Sequence, residues 1–243
     1  MANYIKELPS GHFWKNYIDR DFIPEIIAYS QCLTQRLLPA FESLEDEAKE
    51  IEQNSLSGSC PENADPAFVA ENAMEAAVRY IHTMTGIRQG LINMFGAGLY
   101  HLFEQQLLSF GRSQFQSQAE ALTEVKVLSK ILKEHGIELS TLITWRRINE
   151  LRLLANVVKH AEGPSCKELR DLREDLFRDP YSLSLFRFSG RLPVNQPLAG
   201  QGIYLRVDDF NRYSEDVKAF WTEFGRKLCQ ERTRPEPIKG PLP

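Results

Sequence analysis

Apolar side chains recur at three- and four-residue intervals along most of the chain, which is the period of an amphipathic α-helix. The pattern predicts a first helix over residues 21–38, with Asp21 as its N-cap and a proline in its first turn. An acidic, solvated helix follows over residues 40–53, in which Glu45 and Lys49 lie one turn apart and can pair. The chain therefore begins with helices.

The longest predicted helix covers residues 67–110, with Asp65 as its N-cap, after a loop rich in Ser, Gly, Asn and Pro. Each of its interior glycines costs about 1 kcal/mol relative to alanine, so each needs a structural reason. Gly86 and Gly90 lie one turn apart and would let a neighbouring backbone approach closely. The Gly-Ala-Gly triplet at residues 96–98 either kinks or divides the helix.

Two shorter helices follow the long one. The first covers residues 119–136 and ends where Gly136 can adopt the left-handed C-cap conformation. The second covers residues 140–163, with Ser140 or Thr141 as its N-cap, and stops at a Gly-Pro pair.

The C-terminal part of the chain combines helical and extended patterns. Residues 165–168 match a Ser-x-x-Glu capping box, which predicts the start of another helix. The runs LSLFRF (183–188) and GIYLRV (202–207) lie among prolines and glycines and predict a small hairpin or two extended segments. A last helix begins at Asp208 or Asp209. Its apolar side chains recur at helical spacing: Phe210, Tyr213, Val217, Phe220, Trp221 and Phe224.

These elements predict a mainly α fold, a helical bundle with a small extended or β-hairpin insertion before the last helix. Strand signals come only once and late in the chain, which disfavours an α/β fold with a parallel sheet. We expect a single helical domain over residues 1–230. The proline-rich residues 231–243 are expected to be disordered.

Composition and charge narrow the functional classes. The 243 residues are 42% hydrophobic and 26% charged, as in soluble globular proteins, and the net charge of −4 disfavours a protein that coats nucleic acid. The four cysteines are widely spaced, so a zinc finger or disulfide framework is not expected. The first thirty residues lack the pattern of a secretory signal, and no apolar stretch reaches about 20 residues. We therefore expect a cytoplasmic protein without a membrane span.

The common motifs of phosphate-binding loops, dinucleotide folds, zinc proteases and α/β hydrolases are absent from the sequence. His101 and Glu104 lie three residues apart, but a di-iron bundle needs two Glu-x-x-His pairs and two further glutamates. We expect His101 to be a hydrogen-bonded histidine near the core. Neither a metal nor a cofactor is predicted.

The helix over residues 140–163 carries a polar stripe. At 100° per residue, four of its side chains fall within an arc of roughly 80°. They are Asn149, Arg152, Asn156 and His160. Lys159 lies near the edge of this stripe, and Arg146 and Arg147 lie one to two turns before it.

The residue types in this stripe suit phosphodiester cleavage without a metal. Histidine transfers protons near neutral pH, and a cation stabilises the charge that develops on the phosphate. The alternative is that the stripe is a solvated helical face with structural hydrogen bonds. A rise of 1.5 Å per residue separates Arg152 from His160 by about 12 Å along the axis, so a second subunit would help them meet at one phosphate.

The run ELRLLANVVKHAEG resembles the signature helix of the HEPN superfamily, helical proteins whose ribonuclease members carry an arginine, four to six residues, and then a histidine. Asn156 and His160 match the Asn-x-x-x-His part of that motif. Ala155 stands where the arginine is expected, and Arg152 precedes His160 by seven intervening residues. By resemblance, His160 is the catalytic histidine, Asn156 its polar companion and Arg152 the stand-in for the arginine.

The resemblance implies a homodimer that cleaves RNA without a metal, in a toxin–antitoxin or anti-phage setting. Candidate substrate-binding residues are Arg146, Arg147, Asn149 and Lys159. Expected partners are RNA or a nucleotide, a second copy, and a protein such as an antitoxin. The alternative is a non-catalytic interaction or scaffolding protein with a degenerate motif. It would bind its partner through exposed aromatic side chains of the last helix or through the glycine-bearing face of the long helix. A small-molecule enzyme with a pocket between helices is a third hypothesis.

Overall fold

The computed structural model describes residues 11–58, 65–180 and 193–231. Helices dominate these residues and no β-strand occurs among them, which confirms the mainly α, bundle-like fold. None of the described helices combines the length and the apolar character needed to cross a membrane. The α-helices are α1 (Gly11–Tyr17), α2 (Ile23–Gln31), α3 (Leu44–Ser57), α4 (Pro66–Gln114), α5 (Val125–Glu134), α6 (Trp145–His160), α7 (Pro164–Leu172) and α8 (Val207–Glu231).

The first helical run differs from the prediction, because it is already helical at Gly11 and Asp21 lies inside it rather than at its cap. Two π-helical turns, Ile18–Phe22 and Cys32–Leu37, interrupt it. Each turn comes directly before a proline-containing segment, where the missing N–H and the bulky ring disturb the normal i to i−4 bonding. The helix continues past Pro24 as α2, whereas at Pro39 it narrows to a 3₁₀ turn (Leu38–Phe41) and ends, close to the end predicted before this proline.

Helix α3 is largely exposed, as predicted for the acidic segment. Lys49 donates to Asp46 at 3.0 Å, three residues earlier, so its ion pair is with Asp46 rather than with the predicted Glu45.

Helix α4 is longer than predicted and runs without a break over 49 residues. The Asp65 cap is confirmed, because the backbone N–H of Ala67 donates to its Oδ1 at 3.0 Å. The Gly-Ala-Gly triplet at residues 96–98 neither divides nor ends the helix. Gly136 follows α5 and has a φ of +83°, the left-handed conformation that was predicted for the C-cap of that helix.

The starts of α5, α6 and α7 were predicted wrongly. Helix α5 begins at Val125, after a short 3₁₀ turn. Helix α6 begins at Trp145 rather than near Ser140, because the Glu223 carboxylate accepts the free N–H groups of Ile143 (2.9 Å) and Thr144 (3.1 Å). In α7 the first helical residue is Pro164, which places Ser165 inside the helix, where it caps nothing.

The predicted hairpin is not confirmed. The run at 183–188 lies outside the described residues, as does the tail from 232 onward. Residues 203–206 belong to neither a helix nor a strand, and the N–H of Tyr204 donates to Leu176 O at 2.7 Å. The described cysteines Cys32, Cys166 and Cys229 are free thiols.

The chain divides into two compact units, each built from separate stretches of sequence. The described residues of the first unit are 11–30, 98–155 and 211–231, and those of the second are 31–58, 65–97, 156–180 and 193–210. The single domain over residues 1–230 stays a prediction.

The core of the first unit is aromatic. The predicted apolar stripe of α8 is confirmed, because Tyr213, Phe220, Trp221 and Phe224 are fully buried. Ring centroids of Phe103 and Phe220 lie 4.8 Å apart. The aromatic side chains of this helix are therefore committed to the core, and the hypothesis that they form an exposed partner-binding surface is wrong.

The second unit holds an irregular segment against α4. A Cβ atom at Gly90 would lie 1.9 Å from Leu198 O, and one at Gly86 would lie 3.0 Å from Ala199 O. The predicted close approach of a backbone to these two glycines is thus confirmed, and the approaching segment is residues 197–205. This stretch of the glycine-bearing face is covered and does not serve as a free partner surface.

Candidate functional site

The C-terminal end of α6 presents His160 to solvent. The helix stops there because Ala161 has a φ of +59°, a left-handed conformation, while its N–H still donates to Val157 O at 2.8 Å. The last carbonyl groups of a helix carry partial negative charge, which favours a cationic side chain such as Lys159 in the final turn.

A shallow groove of about 410 Å³ runs beside this helix end. One wall is formed by residues 158–161 and the other by residues 195–199. Lys159 and His160 supply the basic groups, and Asn195 and Gln196 supply exposed side-chain amides opposite them. We name this the His160 groove.

Two sets of contacts fix the wall opposite His160. Glu162 Oε1, two residues after the end of α6, accepts the N–H of Val194 at 2.8 Å. Asn93, buried on α4, donates through Nδ2 to Pro197 O (2.8 Å) and Ile203 O (2.9 Å). Its Oδ1 accepts from the N–H of Leu205 (3.2 Å) and from Gln89 Nε2 (3.0 Å). The wall is therefore held at Val194 by a hydrogen bond to Glu162 and farther along by the hydrogen bonds of the buried Asn93 amide.

The groove contains groups that fit a phosphodiester. An imidazole accepts or donates a proton near neutral pH, an ammonium group binds a phosphate oxygen, and amides donate to phosphate or base atoms. Among the described residues, no group of three or more His, Cys, Asp or Glu side chains is arranged to hold a metal ion.

Asn156, the predicted companion of His160, has a structural contact. Its Nδ2 donates to Ser165 Oγ at 3.2 Å, which links α6 to α7. Asn156 is half-buried and does not line the His160 groove.

Arg152 belongs to a different cluster, in the first unit. Its Nε donates to Asn149 Oδ1 at 2.9 Å. Burial raises the pKa of Tyr100, the nearby Glu104 carboxylate raises it further, and the positive charge of Arg152 opposes both effects. Neither Arg152 nor Asn149 lines the His160 groove. His101 is hydrogen-bonded, as expected, to Glu104 at 3.3 Å, but its side chain is 43% exposed and so does not lie in the core.

The remaining arginines lie in the first turn of α6. Arg147 donates to Glu150 Oε2 at 3.1 Å, and Arg146 is exposed. Ala155, which stands at the family's arginine position, is 1% exposed and part of the core. Of the seven predicted site residues, the groove brings together only Lys159 and His160.

The groove residues Asn195 and Gln196 were not found from the sequence. They lie in a segment punctuated by Pro193, Pro197 and Gly200, which is typical of a loop, and loops often carry function. No spacing rule connects residue 195 with residue 160, because their proximity depends on tertiary packing.

No protein-family model matches this chain, and neither a curated protein nor a solved structure matches it significantly.

Proposed function

We propose that this protein is a HEPN-like endoribonuclease that cleaves RNA at the His160 groove without a metal, in a defence or toxin–antitoxin setting. The observation that carries this proposal is the placement of exposed His160 beside Lys159 in a groove with two amide side chains. The sequence resemblance at Asn156 and His160 points to the same helix end.

The chemistry follows from the groups present. Cleavage of RNA requires removal of a proton from a 2′-hydroxyl, attack of that oxygen on the adjacent phosphorus, and protonation of the 5′-oxygen as its bond to phosphorus breaks. The products are a 2′,3′-cyclic phosphate and a 5′-hydroxyl. His160 performs one of the two proton transfers, and Lys159 stabilises the negative charge on the phosphate. In a homodimer, the second copy of His160 performs the other transfer.

This assignment revises the roles expected for the polar stripe. Lys159, rather than Arg152, supplies the cation at the phosphate. Asn156 is a positioning residue, because its hydrogen bond to Ser165 orients the helix end that carries His160.

The test is digestion of total cellular RNA in the presence of EDTA by the wild type and by His160→Ala. We expect the wild type to produce fragments ending in 2′,3′-cyclic phosphate and the variant to produce none. His12→Ala, which removes an exposed histidine in α1, is the matched control and should cleave like the wild type. Equal cleavage by wild type and His160→Ala, or none by the wild type, would refute the proposal.

A second candidate function is favoured by a specific observation. Ala155 is buried and Arg152 is bonded to Asn149, and no arginine of the described residues lines the groove. Under this hypothesis the protein is a non-catalytic scaffold whose Asn156 and His160 serve structure or partner binding. Silence in the RNA assay, together with a stable complex recovered by pull-down that is lost in His160→Ala, would favour it.

A further inference from the structure

A second cavity lies in the second unit and shares Ala199 with the His160 groove. Its volume is about 620 Å³, within the range of roughly 300–1,000 Å³ that is usual for small-molecule sites. Helix α4 lines one side through residues between Val78 and Gln89, and residues 199–201 with Tyr204 line another. We name this the α4 cavity.

The wall formed by residues 199–204 is held against α4 by backbone contacts. Gly200 has a φ of +76°, and a Cβ atom there would lie 2.4 Å from Gly86 O, so a side chain would push the wall away from the helix. The Nε2 of Gln89 donates to Leu205 O at 2.9 Å, just beyond this wall. The cavity is therefore preformed in the folded unit.

The α4 side of the cavity carries large apolar side chains that are left exposed. Val78 is 56% exposed, Ile81 38% and Ile87 49%. Exposed apolar side chains gathered around a concavity indicate a binding site more strongly than the same side chains scattered singly. A ligand with apolar faces would bury them.

Tyr204 supplies an aromatic ring to the cavity, and this residue is held at both ends. Its N–H donates to Leu176 O at 2.7 Å, and its hydroxyl donates to the Asp179 carboxylate. The carboxylate is thus engaged within the protein. A ring held in one orientation is a surface on which a second aromatic ring stacks with little further loss of side-chain freedom.

The other polar groups of the lining offer both donors and acceptors. Gln89 is 7% exposed, and its Nε2 donates within the protein while its side-chain oxygen is an acceptor. Thr85 adds a hydroxyl, Gln201 an amide and His82 an imidazole. Neither lysine nor arginine occurs among the described lining residues. Because an unpaired charge is costly in an apolar site, this lining favours an uncharged ligand that has its own donors and acceptors.

We propose that the α4 cavity binds an uncharged, purine-sized heteroaromatic ring. The ring stacks on Tyr204 and covers Val78 and Ile81, and its edge bonds to the side chain of Gln89. Such a ring is either the base of an RNA strand whose phosphate lies in the His160 groove or a free nucleoside-like molecule. The first source rests on the function proposed for that groove, whereas binding of the free ring does not.

Calorimetric titration of the whole chain at pH 7 with adenosine and two methylated analogues tests this selection. Adenosine, with about 19 non-hydrogen atoms, is expected to bind with a dissociation constant of roughly 0.1 mM. 1-Methyladenosine carries a positive charge on its ring and should bind about tenfold more weakly or worse. N6-methyladenosine has the same added methyl group without the charge and should bind within about threefold of adenosine. Absence of adenosine binding, or equal affinity for the two methylated analogues, would overturn the proposal.

A bulky substitution locates the binding. Ile81→Trp should fill the cavity and abolish adenosine binding, whereas Met74→Trp, on the same helix but outside the lining, should bind like the wild type. Unaltered adenosine binding by a folded Ile81→Trp variant, verified by its thermal unfolding, would rule out the α4 cavity as the site.

Two substitutions at Tyr204 separate stacking from the hydroxyl group. Tyr204→Leu removes the ring and should weaken adenosine binding by about 5- to 100-fold. Tyr204→Phe keeps the ring and should bind within about threefold of the wild type. Equal affinities of these two variants would contradict stacking on Tyr204.

A competition experiment distinguishes the two sources of the ring. A 2′-O-methyl oligoadenylate cannot be cleaved, because its 2′-oxygen carries no proton. Displacement of adenosine by this oligonucleotide, weakened in Lys159→Ala while adenosine binding is unchanged, assigns the cavity to a base of RNA. Adenosine binding that the oligonucleotide does not displace assigns it to a free nucleoside-like molecule. Since adenosine binding needs no cleavage, an inactive His160 groove would leave this result standing.

Discussion

At the scale of single residues, Asn93 does more for the second unit than its sequence context suggests. It lies in the middle of an apolar helix, is 0% exposed, and makes four hydrogen bonds through one amide. Three of them go to the backbone of the segment over residues 197–205, part of which forms a wall of the His160 groove. Because water is excluded, the loss of either half of the amide leaves buried backbone groups without partners.

Asn93→Asp is expected to destabilise the protein by about 3 kcal/mol or more. Aspartate has nearly the shape of asparagine, but an oxygen, which only accepts, replaces the amide nitrogen that donates to two carbonyl groups. The substitution also buries a negative charge. Asn54→Asp, at an exposed position of α3, is the control and should change stability by less than about 0.5 kcal/mol. Chemical denaturation measures both values; similar stability of the two variants would contradict the role given to Asn93.

Ala155→Arg would complete the resemblance to the HEPN motif in sequence, but we expect it to destabilise the fold rather than to create activity. The position is 1% exposed, and an arginine there places an unpaired charge in the core at a cost of roughly 3–5 kcal/mol. Ala70→Arg, at an exposed position of α4, is the control and should unfold near the wild-type temperature. A stable, well-folded Ala155→Arg variant would show that this part of α6 is not core.

The Asp209 carboxyl makes the free energy of unfolding depend on pH in the acid range. Burial alone would raise the pKa of this carboxyl, but hydrogen bonds from Arg206 (2.8 Å) and Arg173 (2.8 Å) lower it below its ordinary value. Because the pKa of Asp209 is lower in the folded than in the unfolded protein, its ionisation stabilises the fold at pH values above the unfolded-state pKa of about 4. This stabilisation is lost as the pH falls through the pKa of the folded state.

Asp209→Asn should therefore be less stable than the wild type at pH 7, by about 1–2 kcal/mol, and closer to it at pH 3. Asp208→Asn, at the neighbouring exposed position, should follow the wild type at both pH values. Thermal melts at the two pH values provide the measurement. The same difference in stability between wild type and Asp209→Asn at both pH values would contradict a lowered pKa of Asp209.

At the scale of elements, apolar periodicity predicted the helical features that local sequence determines. It failed at helix ends whose position depends on contacts with residues far away in the chain. The apolar stripe of α8 and the left-handed end at Gly136 follow from side-chain spacing and from glycine's backbone freedom. The start of α6 could not be predicted, because its N-terminal N–H groups bond to Glu223, about 80 residues later in the chain. Ser165 failed as a cap because the preceding proline already occupies the first helical position.

Substitution by alanine should change stability in opposite directions at a helical glycine packed against a backbone and at one with space beside it. Gly90→Ala would place a Cβ 1.9 Å from Leu198 O, so we expect a loss of about 2 kcal/mol or more as the segment is displaced. At Gly225 in α8 the nearest atom would be Ile18 Cδ1 at 3.4 Å, an ordinary contact. Gly225→Ala should therefore be neutral or stabilising by up to about 1 kcal/mol. Comparable denaturation midpoints for the two variants would refute the close approach at Gly90.

At the scale of the whole molecule, half of the candidate site was accessible to sequence reasoning. His160 and Lys159 were found because a helical stripe and a short motif mark them. The positions of Asn195 and Gln196 depend on how residues 194–205 pack on α4, which no local pattern encodes. Arg152 and Asn156, on the predicted stripe, bond to Asn149 and Ser165 and do not line the groove.

We propose that His160 transfers a proton during metal-independent RNA cleavage. The most direct measurement is the single-turnover cleavage rate of a defined RNA oligonucleotide in EDTA. We expect His160→Ala to lower this rate by about 10²- to 10⁴-fold and Lys159→Ala by roughly 10- to 100-fold, with His12→Ala unchanged. A wild-type protein without measurable cleavage, or a His160→Ala variant that cleaves at the wild-type rate, would contradict the claim.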